Sequence, residues 1–174
     1  MGRLETLLGP NGAYSNRWCM WWRLTNREHT DNGPDGNRAA LRALVEDGRE
    51  PGLLAYAGGT PVGWVSVAPR PEFGRVVRSP LFRPDDPDDA GCWSVVCFYV
   101  PRAHRGRGLT DVLLAGAVEH ARAGGGTSIE GYAIVGDDLD PPSLYHGLAS
   151  TFERAGFTQV AAPSPRRRLM RRTL

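Results

Sequence analysis

Lysine is missing altogether: all 21 basic residues of the 174-residue chain are arginine. A P-loop, which needs Gly-x-x-x-x-Gly-Lys-Ser/Thr, is therefore excluded. Cysteine is scarce. Cys19, Cys92 and Cys97 are an odd number without pair spacing, which suits a reducing compartment better than a disulfide framework. The four histidines are scattered, so no metal-ligand cluster is expected. No apolar run approaches a membrane span, and Met1-Gly2-Arg3-Leu4-Glu5 lacks the apolar stretch of a signal peptide. A net charge of +2 is too small to argue by itself for nucleic acid. What remains is the profile of one soluble, cytoplasmic domain, large enough to bury its own core and working as a monomer or homodimer.

The most informative stretch present is Phe98-Tyr99-Val100-Pro101-Arg102-Ala103-His104-Arg105-Gly106-Arg107-Gly108-Leu109-Thr110. An alternating segment, Trp93 to Val100, runs into a Gly/Arg turn that opens directly into an apolar-periodic helix. Strand, glycine turn and helix start make an anion cradle. Backbone N–H groups converge there, the helix dipole adds partial positive charge, and glycines let a phosphate approach the main chain. Arg105 and Arg107 add formal charge. The dinucleotide fingerprint Gly-x-Gly-x-x-Gly begins at Gly106-x-Gly108 but meets Asp111 where its third glycine belongs.

Around this stretch the chain alternates strand and helix signals. Residues 1–12 read as a flexible, turn-forming lead-in, and Arg17 to Leu24 as an aromatic first strand whose three tryptophans either line an acceptor pocket or pack under a helix. Ala40, Leu41, Leu44 and Val45 give a helix from Asp35 to Gly48. Residues 52–57 and 62–68 form a hairpin through Gly58-Gly59-Thr60-Pro61. A long loop over 71–91 holds Arg75, Arg78, Arg83 and an aspartate tract, Pro84 to Asp89, that either draws in a cationic amine or is simply solvated. After the central strand and its helix come a strand from Thr127 to Val135, a helix that Ser143 caps and Gly156 stops, and strands over 157–161 and 168–173. The fold class is α/β: a mixed sheet with a parallel pair at the strand–helix–strand unit.

Arg105-x-x-Gly108-x-Thr110 after Val100-Pro101, with Phe152-Glu-Arg-Ala-Gly-Phe157 downstream, resembles the acyl-coenzyme A loop and final helix of GNAT-type N-acetyltransferases. Thr110 departs from the small residue usual at its position. The resemblance implies one domain over 1–174 with a largely antiparallel sheet, a splayed parallel central strand pair and helices on both faces. It implies acetyl-CoA as cosubstrate and a primary amine of a small molecule as acceptor, acylated by direct attack. Phe98, Tyr99 and Val100 would hold the pantetheine arm, and Arg105, Gly106, Arg107, Gly108, Leu109 and Thr110 the pyrophosphate.

The family commonly carries an asparagine before the last helix and a tyrosine within it. Aligned on Gly156-Phe157, those positions hold Tyr145 and Phe152. Tyr145 is therefore the candidate acid for the departing thiolate. Glu130, beside the expected splay, is the candidate base, with an ordered water as the alternative. Cys97 reads as a buried strand cysteine, and His104 and His146 as surface or helix-end residues. Five arginines over Arg166–Arg172 suit either an anionic partner, RNA or the 3′-phosphate of coenzyme A, or a terminal strand with charged edges. Two other functions stay open: an aminoacyl-tRNA-dependent acyltransferase, and a sensor that binds acyl-CoA without turnover.

Overall fold

The computed structural model describes residues 1–82, 86, 88–136 and 141–174. Its centre is set by two apolar runs too continuous for any place but the inside of a sheet. Thr60–Pro69 is β2 and Cys92–Tyr99 is β3, antiparallel to each other. Around them lie β1 (Gly52–Ala57), β4 (Ser128–Ile134), β5 (Thr158–Ser164) and β6 (Arg167–Thr173), in the sheet order β1-β2-β3-β4-β6-β5. Only the β3–β4 neighbours run parallel; every other pair is antiparallel.

Alternation along β2 assigns its two faces. Val65 and Val67 pack with Leu113, Leu114, Ala117 and Val118 of helix α4 (Leu109–Ala123), whereas Trp64 packs with Leu4, Leu7, Leu8 and Leu41 on the opposite side. Helices thus cover both faces. α1 (Gly2–Leu8) stands where a flexible lead-in was expected. Its Leu4, Leu7 and Leu8 are spaced to bury one stripe, but a seven-residue pattern is too short to announce itself.

Three further expectations need correction. Arg17 to Leu24 is a chain of turns, not a strand: Ala13, Ser15, Asn16, Trp18 and Cys19 all adopt φ between 48° and 71°, which no strand permits. The early helix, α2, starts at Asn26 rather than Asp35 and runs to Glu46, kinked at Gly33-Pro34. A capping box at Thr25 and Glu28 begins it. The expected helix from Ser143 to Ala155 is broken: a 3-10 segment (Pro141–His146) is separated by Gly147 from α5 (Ala149–Arg154). Within the loop over 71–91, Gly74–Arg78 forms the short helix α3, while Arg83, Pro84, Asp85 and Pro87 of the arginine and aspartate readings lie outside the described residues. Residues 137–140, expected as loop, also lie outside them. No helix among the described residues is long and apolar enough to cross a membrane.

Candidate active site

β3 and β4 begin as a parallel pair and then part. Their register runs from Cys92 opposite Ser128 to Val95 opposite Gly131 and stops there. A bulge causes the parting. Ser66 of β2 faces Cys97, but Val67 faces Val95, so Val96 is an extra residue that bends β3 away at the point where pairing ends. Beyond it β3 follows β2, and Tyr132 to Ile134 of β4 follow β6. The open V is wedged at its far side by the chain after Tyr145. The Ile134 N–H donates to the Gly147 carbonyl at 3.0 Å, and Ile134 bridges to Leu148.

The Gly/Arg turn lies at the mouth of this V. Gly106 and Gly108 have φ of 71° and 72°, and Gly108 is the left-handed N-cap of α4. A Cβ at either would meet nothing within 4 Å, so backbone conformation and not space selects glycine. The N–H groups from Gly106 to Thr110 have no acceptor among the described residues; the next donors, Asp111 and Val112, both bond to the Gly108 carbonyl. Five consecutive amides therefore point free at the positive end of a four-turn helix. Asp111, the one acidic side chain in that first turn, is neutralised by Arg154, whose Nε and Nη2 donate to it at 3.0 and 2.7 Å.

A cleft of about 510 Å³ runs from these amides into the V. It brings together Phe98, Tyr99, Val100, Arg105, Gly106, Gly108, Leu109 and Thr110 on one side, with Tyr145, Gly147, Leu148 and Thr151 on the other. Arg107 is exposed and does not line it. The Arg105 Nε donates to the Val100 carbonyl at 3.0 Å, tying the turn to the strand end.

At the deep end the cleft meets a smaller apolar cavity of about 40 Å³, and Tyr14, Phe98, Tyr99 and Tyr145 line both. Tyr145 thus stands where the two join. Burial pushes its phenol above the ordinary range, the neighbouring Cys97 adds to the rise, and Arg17 pulls against it, so the group is a protonated phenol at neutral pH. His146 lies against Tyr145 with ring centres 3.9 Å apart and planes tilted by 33°, and meets Trp22 edge to face. Burial, then Arg167 and Arg17, lower its pKa to about 2. It is a neutral, buried packing ring, where a surface or helix-end residue was expected.

Glu130 is not where a base would be. It sits in the still-paired part of β4, opposite Ser94, and lines neither cavity. Its side chain is 3 % exposed and fully engaged. Arg171 donates from Nε and Nη2 at 2.8 and 2.5 Å, Arg70 from Nη1 at 3.4 Å, and the Tyr132 hydroxyl at 3.3 Å. The expectation of a catalytic carboxylate there gives way to a buried ion-pair cluster. Among the described residues no Asp or Glu lines the cleft or the smaller cavity. Two of the three described aspartates of the tract border this cluster too: Asp86 accepts from Arg70 through its carbonyl, and the Asp89 carboxylate lies 3.8 Å from Arg70.

Phe152 occupies the position of the family's usual tyrosine and is wholly buried. Its ring lies so close over Gly131 that a Cβ there would be 2.0 Å from it, and it packs edge-on against Phe98 and Phe157. A hydroxyl has no polar place in that packing. The sequence reading missed one encounter completely: Cys19 and Cys97, 78 residues apart, place their sulfurs 3.7 Å from each other at the small cavity. Cys19 also accepts from Trp64 Nε1 at 3.2 Å. Its pKa is lowered by the Cys97 hydrogen bond and by Trp64 against the effect of burial, and that of Cys97 is raised well above the ordinary value by the Cys19 sulfur and by burial. The arginine tail is β6, which is no edge strand: β4 and β5 flank it, Arg171 binds Glu130, and Arg172 donates to the Ala155 carbonyl at 2.6 Å.

Residues 18–147 match the model of the acetyltransferase (GNAT) family, well over half of the sequence. The chain belongs to that family. No curated protein matches by sequence. Solved structures agree on the fold. The ribosomal-protein-alanine N-acetyltransferase of Brucella melitensis superposes with a TM-score of 0.56 at 21% identity, over 99% of this chain and 95% of its own. The PaiA N-acetyltransferase of Thermoplasma acidophilum, solved in complex with coenzyme A, gives 0.55 at 12% identity over 99% and 94%. An N-acetyltransferase from Staphylococcus aureus Mu50 gives 0.52 at 14% identity over 81% and 76%. In this GNAT domain, then, the V between β3 and β4 and the glycine turn stand together, as the sequence resemblance implied.

Proposed function

We propose that this protein transfers an acetyl group from acetyl-CoA to the primary amine of a small acceptor, by direct attack of the amine on the thioester. The observation that carries the reading is the run of unspent amides from Gly106 to Thr110 at the mouth of the parted strands. Those donors suit a pyrophosphate, with Arg105 adding charge beside them. The main chain of Phe98 to Val100 is free of β4 and suits the pantetheine amides. Acetyl-CoA supplies the activated acyl group; the protein supplies position, an N–H for the developing oxyanion, and a proton.

Tyr145 is the proton donor in this reading. It is the buried phenol at the junction of the cleft and the inner cavity, and its raised pKa keeps the proton available until a thiolate forms. The O–H bond then breaks as the S–H bond forms. With no carboxylate lining either cavity among the described residues, water is the acceptor of the amine's proton. A reduced thiol pair at Cys19 and Cys97 suits a reducing compartment, in keeping with a cytoplasmic enzyme.

Calorimetry with coenzyme A, and thiol release from acetyl-CoA with a panel of amines, test the proposal. Micromolar binding together with amine-dependent thiol release is expected. Binding without release would make the protein a sensor, and acyl transfer abolished by ribonuclease would point to aminoacyl-tRNA as donor. Tyr145→Phe should lower kcat by about 10²-fold, the scale of a lost proton transfer, and leave coenzyme A affinity unchanged. Equal kcat in both forms removes the phenol from the mechanism.

A further inference from the structure

Two deeply buried arginines elsewhere have a carboxylate partner, Arg23 with Glu72 and Arg70 with Glu130, although Arg23 Nη2 and Arg70 Nε, like Arg167 Nη1, have no acceptor among the described residues. On the inner side of the site the matching fails. Arg17, Arg75 and Arg78 gather near Trp21, and none of them forms an ion pair with a described residue. The Arg17 and Arg75 guanidinium carbons lie 4.8 and 3.7 Å from the centre of the Trp21 ring. Arg75 gives Nη1 to the Asn26 side chain, but its Nε and Nη2 are buried without an acceptor. Trp22, 9 % exposed, likewise has an indole N–H with no partner. Burial lowers the pKa of Arg75, and Arg78 and Arg17 lower it further, the mark of like charges held together. An uncompensated group of this kind is costly unless something that visits the site completes it.

Its location says what visits. Arg17 lines the small cavity behind Tyr145. Trp21 and Trp22 line that cavity and also a second one, of about 400 Å³, whose floor carries Asn26, Arg75 and Arg78. A path therefore leads from the acyl-transfer position past Arg17 and two indoles to the remaining guanidiniums. Planar guanidiniums with free N–H groups, next to aromatic faces, recognise carboxylates and phosphorus oxyanions. The small cavity and the second one have no described Asp or Glu in their walls to receive a second positive charge.

We infer that the acceptor amine carries its own negative charge, a carboxylate or a phosphorus oxyanion, held by Arg17 and Arg75 beside Trp21 while its amino group faces Tyr145. This deepens the acetyltransferase reading and rests on it for the identity of the reacting group. It also reverses the sign suggested by the aspartate tract, whose described members line none of these cavities.

The test uses matched pairs on the full chain saturated with coenzyme A or acetyl-CoA: α-amino acids against their α-amides, and aminoalkylphosphonates of the same chain length. Quenching of tryptophan fluorescence reports binding, and thiol release reports turnover. The acids or the phosphonates should bind and react at least tenfold better than the amides, and the stronger of the two arms names the anion. Arg75→Gln should raise KM for the preferred anionic amine at least tenfold with coenzyme A affinity unchanged, and Arg75→Lys, which keeps the charge but loses the fork, should recover part of it. If no amine turns over yet an anionic amine still quenches, and Arg75→Gln abolishes the quench, the anion site stands and the transferase reading falls. Amides that equal the acids in both readouts, or an Arg75→Gln protein with unaltered KM and quenching, overturn the inference.

Discussion

At Gly108 two features fall on one residue: a left-handed backbone that starts α4, and an uncovered N–H, which the proposed function gives to the phosphates. They can be separated. Gly108→Asn puts a side chain tolerant of left-handed φ into open space, at a cost of about 1 kcal/mol of strain. Gly108→Asp imposes the same strain and adds a carboxylate where the pyrophosphate belongs. Coenzyme A affinity should fall modestly in the first variant, and by a further tenfold or more, about 1.4 kcal/mol, in the second. Equal calorimetric affinities for the two would mean that no anion sits against this turn. The turn was legible because its chemistry is local. Tyr145 was singled out only through the alignment on Gly156-Phe157; its place between two cavities depends on a break at Gly147 that the sequence does not advertise, and its role as proton donor is the proposal that Tyr145→Phe tests.

Among the elements, β4 shows how a strand can mislead. Ser128 to Ile134 reads correctly as a strand, and its parallel pairing follows from the crossover helix. A glutamate beside a splay then invites a catalytic role. What decides against it is β6, folded in between β4 and β5 from the far end of the chain, which sets Arg171 opposite Glu130. Glu130→Gln should cost about 3 kcal/mol in urea denaturation, because the buried Arg70 loses its compensating charge and the half-exposed Arg171 loses its partner. Its kcat, measured per folded molecule, should stay within twofold of the parent; a hundredfold drop would restore the carboxylate to the chemistry. Where periodicity governs, as in β1 to β4 and α4, the sequence reading was close to the structure. It failed over Arg17 to Leu24, where Trp18 and Cys19 take positive φ and the tryptophans part company, Trp18 and Trp22 into separate clusters and Trp21 to the cavity wall. Alternation of apolar residues cannot distinguish such a coil from a strand. The start of α2 was readable from Thr25 and Glu28, a local signal that the polar surroundings obscured.

For the molecule as a whole, the same burial that shapes the site makes it acid-sensitive. His146 is held neutral beside Tyr145, with a folded pKa of about 2 against 6.5 for a free side chain. Below pH 6.5 the unfolded chain takes up a proton that the folded chain refuses until about pH 2, so folding stability falls as pH drops through that window. At pH 5 the gap of about 1.5 pH units amounts to roughly 2 kcal/mol. The carboxylates whose pKa values are lowered, Glu5 by Arg38 and Arg42, Glu28 by Thr25, and Glu72, against burial, by Arg49 and Arg23, act in the same direction but only below about pH 4.5, so they leave the interval from 7 to 5 to the histidines. His29, lowered by burial and by Arg75 and Arg17, contributes the smaller part because it is more solvated. Denaturation midpoints at pH 7 and pH 5 should therefore differ by about 2 kcal/mol more in the parent than in His146→Gln, which cannot titrate. Identical pH dependence in the two proteins would mean that the ring beside Tyr145 reaches water, which would count against the buried phenol that the proposed proton transfer requires.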